Sequence, residues 1–148
     1  VMLFNLGKYF DIFHIFVILR RKSLIRRRHM KIEATSRTPL IEINSGYCLI
    51  KGECYPEDIS EISIPIMKEI EQELLSVEKF VRELELYYFN SSSAKLLFDI
   101  FDKVDEAAAD GLDVQIKWNY RSGDDSMQEA GEDFEEDIKN STFKMQEI

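Results

Sequence analysis

The sequence predicts an α/β fold, a single domain built on a mixed β-sheet with flanking helices. Three observations predict it. Stretches of strict two-residue alternation take turns with stretches of 3.6-residue periodicity along the chain. Glycine, proline and asparagine punctuate the boundaries between them. The 148 residues suit one hydrophobic core and need no disulfide or metal to close it.

Taken in order, residues 40–43 and 47–50 are short apolar-rich runs joined by Asn44-Ser45-Gly46. Asn and Gly tolerate the positive φ that a tight turn demands, so this reads as a hairpin. "CYPEDIS" follows as a loop, and Pro65 is expected in the first turn of a helix, where its missing N–H costs little. Ile66, Ile70, Leu74 and Val77 give that helix its apolar stripe. "VRELELYYF" alternates, with Leu84, Leu86 and Tyr88 on one face and Glu83, Glu85 and Tyr87 on the other. A second helix runs from the serines at 91–93 to about Asp110, stopped by Gly111, with Ala94, Leu97, Phe98, Phe101, Val104 and Ala108 turned inward. "DVQIKWNY" alternates again, residues 124–137 contain a short acidic helix, and "STFKMQEI" supplies a last strand. Strands alternating with helices imply right-handed crossovers.

Charge is divided unevenly. The first 29 residues hold seven of the 19 Lys and Arg but one of the 28 acidic residues, Asp11, which leaves 12 basic and 27 acidic residues beyond them and a net charge of −15. A body this acidic repels nucleic acid and anionic membrane and suits a protein partner. Cys48 and Cys54 are too few for a disulfide framework and read as reduced thiols of a cytoplasmic protein. Both histidines, His14 and His29, fall in the first 29 residues, so the body has no histidine base, no Ser-His or Cys-His pair and no ordinary zinc set. The run "DDSMQEAGEDFEED" lacks the order of a calcium loop and reads as a solvated helix face. No particular carboxylate pair is singled out for glycoside chemistry. No catalytic group, metal or cofactor is therefore expected.

The segment 1–29 is an apolar run followed by the basic cluster "RRKSLIRRR". Lys8, Asp11 and His14 interrupt the apolar part, and the charges follow it where a signal peptide would have them first. It is expected to be sequence upstream of a start at Met30, the other reading being a weak membrane anchor. Either way residues 30–148 form the domain and stay cytoplasmic.

"FNSSSAK" offers four capping candidates where a helix needs one. In the structural reading Asn90 or Ser91 caps, and Ser92 and Ser93 are tolerated first-turn residues. In the regulatory reading a phosphate on Ser91 sits against the positive end of the helix, and Lys95, four residues on, pairs with it. Ser92 and Lys95 also match the Ser-x-x-Lys spacing of penicillin-recognising enzymes, which makes a small Ser/Lys hydrolase the alternative. The companion motifs of those enzymes are missing.

The blocks "IEATSRTPLIEI", "LIKGECYPED", "LYYFNSSSAKLL", "VQIKWNY" and "EAGEDF" occur in the order found in the SiaC-like regulatory phosphoproteins, and the resemblance spans Lys31 to Ile148. It implies a fold similar to the anti-sigma-factor antagonists (STAS-like) and no enzymatic activity. It implies three protein partners. A dedicated kinase phosphorylates a helix-start hydroxyl and a metal-dependent serine/threonine phosphatase removes the phosphate. The unphosphorylated form binds and activates a diguanylate cyclase in cyclic di-GMP and biofilm signalling. By this resemblance Asn90 matches the family's asparagine and Ser91 its phosphorylated threonine, with Ser92 as competitor and Ser93 and Lys95 as support. Serine in place of threonine is a departure that keeps the hydroxyl.

Overall fold

The computed structural model describes residues 29–148. Of the expected N-terminal extension, residues 1–29, positions 1–28 lie outside the described residues and His29 lies within them. Nine elements follow in chain order: β1 (His29–Ile32), β2 (Leu40–Asn44), β3 (Tyr47–Cys54), α1 (Ser60–Ser76), β4 (Lys79–Phe89), α2 (Ser91–Ala109), β5 (Asp113–Tyr120), α3 (Asp125–Asp137) and β6 (Thr142–Glu147). The six strands lie side by side in sequence order. β1, β2 and β3 pair antiparallel, and β3 to β6 pair parallel. This is the mixed sheet expected from the sequence, with β1 as an additional edge strand.

Parallel strands in simple sequence order need three crossovers running in one direction. Crossovers of one hand then lay all three helices on the same face. The burial pattern fits: Ile41, Ile43, Cys48, Phe80, Leu84 and Ile116 on that face are wholly buried. The opposite face is polar and partly open. There Glu83 accepts hydrogen bonds from the Tyr47 hydroxyl (2.6 Å) and Asn119 Nδ2 (2.9 Å). Burial and the Glu83 carboxylate push the Tyr47 phenol well above its ordinary pKa.

Two positions require glycine. Gly46, at φ 79°, closes the β2–β3 turn so tightly that a Cβ would stand 2.6 Å from the Lys79 carbonyl oxygen. Its N–H donates to Glu73, a carboxylate buried on the inner face of α1 (2.9 Å). In α3, a Cβ on Gly131 would lie 2.5 Å from Trp118, so only glycine lets this helix close on the sheet. The Trp118 indole N–H then donates to the Met127 carbonyl (2.8 Å). Phe134 packs beside Trp118, Phe101 and Phe89 to complete an aromatic core under α2 and α3.

Three details depart from the sequence expectation. First, α1 starts at Ser60 and Pro65 lies inside it, where its missing N–H removes one rung of the ladder. The start is set by Asp58, whose carboxylate accepts from the Ser60 N–H (2.9 Å) and hydroxyl (2.6 Å) and is held below the usual carboxylate range by those bonds. Second, Tyr88 is 51% exposed. β4 carries one extra residue, Tyr87, opposite the Gly52–Glu53 link, and this bulge breaks the alternation. Third, the inner stripe of α2 is Ser93, Leu96, Leu97, Ile100, Phe101 and Val104, which leaves Phe98 at its edge against Phe134 with 42% of its surface exposed.

Candidate functional site

The C-terminal ends of the parallel strands β3, β4 and β5 meet the starts of α1, α2 and α3, the edge at which open α/β sheets place their functional groups. At the centre of that edge the chain leaves β4 through Asn90. Its N–H donates to the Cys54 carbonyl (3.2 Å), which ties the cap to β3. Asn90 has extended backbone, its carbonyl accepts the first intrahelical bond from Ala94 (2.8 Å), and its Oδ1 accepts from the Ser93 N–H (3.0 Å) and the Ser92 hydroxyl (3.3 Å). Asparagine therefore does the capping, and the serines are left for other roles.

The three serines differ in environment. Ser93 is fully buried against the end of β3, beside Cys54, whose thiol is pushed up by burial and drawn back by the Ser93 hydroxyl. Ser91 and Ser92 are exposed. Ser92 already holds a hydrogen bond to the cap, whereas Ser91 stands at the first helical position with its side chain in solvent. No acidic residue occupies the first turn to neutralise the positive end of α2. Lys95 is directed along the helix to Asp99 (3.0 Å), so its sequence-predicted partnership with residue 91 requires a rotation away from that exposed ion pair. Ser92 and Lys95 engage Asn90 and Asp99 and not each other.

Beside this helix start a groove of about 300 Å³ runs between α1 and α2. Ile59, Ile64, Met67 and Leu96 form its apolar walls, with Ser92 and Lys95 at its mouth. Ile64 is 67% exposed. On the sheet side of the same edge, Tyr55 and Tyr88 stack edge to face at 5.5 Å, and the Arg121 guanidinium lies 3.5 Å from the centre of the Tyr87 ring. Ser92 and Lys95 are the groove residues that the sequence singles out; its apolar walls and the Arg121 contact do not stand out there. Ile64 falls off the apolar stripe of α1, and Arg121 meets Tyr87 only through sheet geometry. Among the described residues no group of His, Cys, Asp and Glu is arranged to hold a metal ion, and no helix is long and apolar enough to cross a membrane.

Residues 32–148 match the profile of the SiaC family regulatory phosphoproteins. The chain belongs to the SiaC family. An uncharacterised protein of Pseudomonas aeruginosa (strain UCBPP-PA14) is 31% identical over 111 residues, which is 73% of this chain and 88% of that protein. Two solved structures from Pseudomonas aeruginosa share the fold. One chain of the crystal structure of diguanylate cyclase SiaD in complex with its activator SiaC superposes with TM-score 0.77 at 30% identity, covering 80% of this chain and 99% of that one. Apo-SiaC superposes with TM-score 0.73 at 28% identity, covering 80% and 98%. The SiaC fold therefore holds at 28–30% identity, and the Asn90 cap, the exposed Ser91 and the groove are features of this family member.

Proposed function

We propose that this protein is a non-catalytic, cytoplasmic regulator that binds and activates a diguanylate cyclase, and that phosphorylation of Ser91 by a protein kinase releases the partner. The exposed Ser91 hydroxyl carries this reading. It sits on the uncompensated positive end of α2, one residue from the mouth of an apolar groove. Family membership and the SiaD complex of Pseudomonas aeruginosa SiaC supply the class of partner.

The physical switch is local. A phosphate on Ser91 adds about −1.5 to −2 charges at neutral pH and is held by the free first-turn N–H groups. Lys95 exchanges Asp99 for it, four residues along the same helix face. A partner seated in the groove must then desolvate a dianion at its rim, which disfavours docking. A metal-dependent phosphatase restores the neutral hydroxyl and the docking surface. The buried Ser93 is unsuited to this exchange, and the Ser92 hydroxyl is held by the cap.

The test is capture of a diguanylate cyclase by the wild type, Ser91→Ala, Ser91→Asp and Ser92→Asp, with cyclic di-GMP synthesis measured in each mixture. Ser91→Ala is expected to bind and activate like the wild type. Ser91→Asp is expected to bind at least tenfold more weakly, and Ser92→Asp less affected. Equal capture by Ser91→Ala and Ser91→Asp would sink the mechanism, as would phosphate mapped by mass spectrometry to any other region after kinase treatment.

A further inference from the structure

The far end of the α1–α2 pair carries a second groove. It has a volume of about 560 Å³ and lies between the C-terminal turns of the two helices. With 19 residues in α2, it stands roughly 28 Å from the Ser91 end. Its apolar lining comes from Leu74, Leu75, Val77, Ala107 and Leu112. Leu75 leaves 68% of its surface in solvent, the largest exposure of any large apolar side chain among the described residues. The rim carries Glu71, Glu78, Glu106 and Asp110.

The charge at this rim is poorly offset. Lys103 pairs with Glu71 at 3.0 Å, but no cation among the described residues pairs with Glu78, Glu106 or Asp110. Both helices point their negative C-terminal ends at the groove, and neither has a basic residue in its last turn. A lone helix end or a row of solvated carboxylates is unremarkable. Here both border the exposed Leu75 and the other apolar lining residues, and that combination selects a ligand with matching apolar and cationic faces. Nucleic acid and anionic lipid are repelled, and the carboxylates are not grouped to hold a metal ion.

We infer that this groove docks a basic amphipathic helix of a partner protein, with apolar residues on Leu74 and Leu75 and Lys or Arg side chains on the rim carboxylates. The arrangement gives the regulator two separate contact surfaces at opposite ends of α2. One is governed by Ser91, and the other is independent of it.

The probe is a fluorescein-labelled Leu/Arg amphipathic peptide of about four helical turns, titrated with the full chain and followed by anisotropy. Binding is expected, and it weakens as salt rises through the range where the Debye length falls to a few ångströms. A Glu106→Lys/Asp110→Lys double variant is expected to lose at least tenfold in affinity, and Leu75→Ser to weaken binding as well. All three positions are exposed, so these variants fold. A matched Leu/Glu peptide is expected not to bind, and Ser91→Asp to leave the affinity unchanged. Unchanged affinity in both groove variants, or equal binding of the Leu/Glu peptide, overturns the inference. So does binding that appears only after Arg26, Arg27 and Arg28 are changed to Glu, because the chain's own basic run would then be the occupant.

Discussion

Asn90 Oδ1 holds the Ser93 backbone N–H at 3.0 Å and thereby frees Ser91 from any structural duty at the start of α2. The cap and the modifiable hydroxyl are neighbouring residues with separable roles. Asn90→Ala is expected to destabilise the fold by about 1 kcal/mol, read as a shifted urea midpoint with unchanged slope. Ser91→Ala is expected to leave the midpoint within about 0.5 kcal/mol. A Ser91→Ala loss as large as that of Asn90→Ala would assign the capping to Ser91 and weaken the case for a switch.

Gly131 and Trp118 define how closely α3 approaches the sheet. A methyl at 131 would meet Trp118 Cδ1 at 2.5 Å, Nε1 at 2.6 Å and Met145 Sδ at 2.7 Å. Gly131→Ala is expected to cost about 1–3 kcal/mol through displacement of α3, despite the better helix propensity of alanine. The single tryptophan reports the event directly, because movement of α3 breaks its bond to the Met127 carbonyl and shifts its emission to the red. Unaltered emission and stability would mean that the helix yields without cost.

Much of this architecture is legible from residue order. β5 occupies residues 113–120 as read, because Val114, Ile116 and Trp118 alternate cleanly with polar partners. α2 ends at Ala109 with Gly111 at φ 102°, in keeping with a glycine stop. β1 escapes notice because His29–Ile32 has four residues and abuts a basic run, so its identity comes only from pairing with β2. Pro65 obscures the start of α1 by resembling a first-turn proline, whereas the helix begins five residues earlier at Ser60, whose N–H donates to Asp58. The exposed placement of Ser91 follows from its position at a helix start. The two grooves do not, since each needs α1 and α2 brought together across the sheet.

Arg82 is a buried arginine without a carboxylate. Its side chain is wholly inaccessible, Nη1 donates to Cys48 Sγ at 3.0 Å, and Nε and Nη2 find no acceptor among the described residues. Burial lowers the guanidinium pKa and raises that of the Cys48 thiol, so the charge faces a neutral sulfur. A charge held this way opposes folding unless it is fully compensated. Arg82→Met, close in volume and apolar, is expected to leave stability unchanged or raise it by up to about 2 kcal/mol in denaturant titrations. A loss greater than about 2 kcal/mol would show that the guanidinium is a net stabiliser of this core.

Asp105 is the titrating anchor of the fold. From α2 its carboxylate accepts from the backbone N–H groups of Lys139 (3.2 Å), Asn140 (3.0 Å) and Ser141 (2.8 Å) and from Asn140 Nδ2 (3.1 Å), which clamps the link between α3 and β6. Burial pushes its pKa up, but the hydrogen bonds together outweigh burial and hold it below the ordinary value. A carboxylate depressed in the folded state stabilises above its unfolded pKa, and that contribution is lost as pH falls through the folded value. The wild type is therefore expected to exceed Asp105→Asn by about 1–2 kcal/mol near neutrality, because the amide keeps one acceptor oxygen and loses the charge. The gap is expected to narrow once pH drops below about 4, the ordinary aspartate range. Thermal unfolding of both proteins between neutral and acidic pH checks it, and a gap of constant size across that range would show that the carboxylate's charge has no part in the clamp.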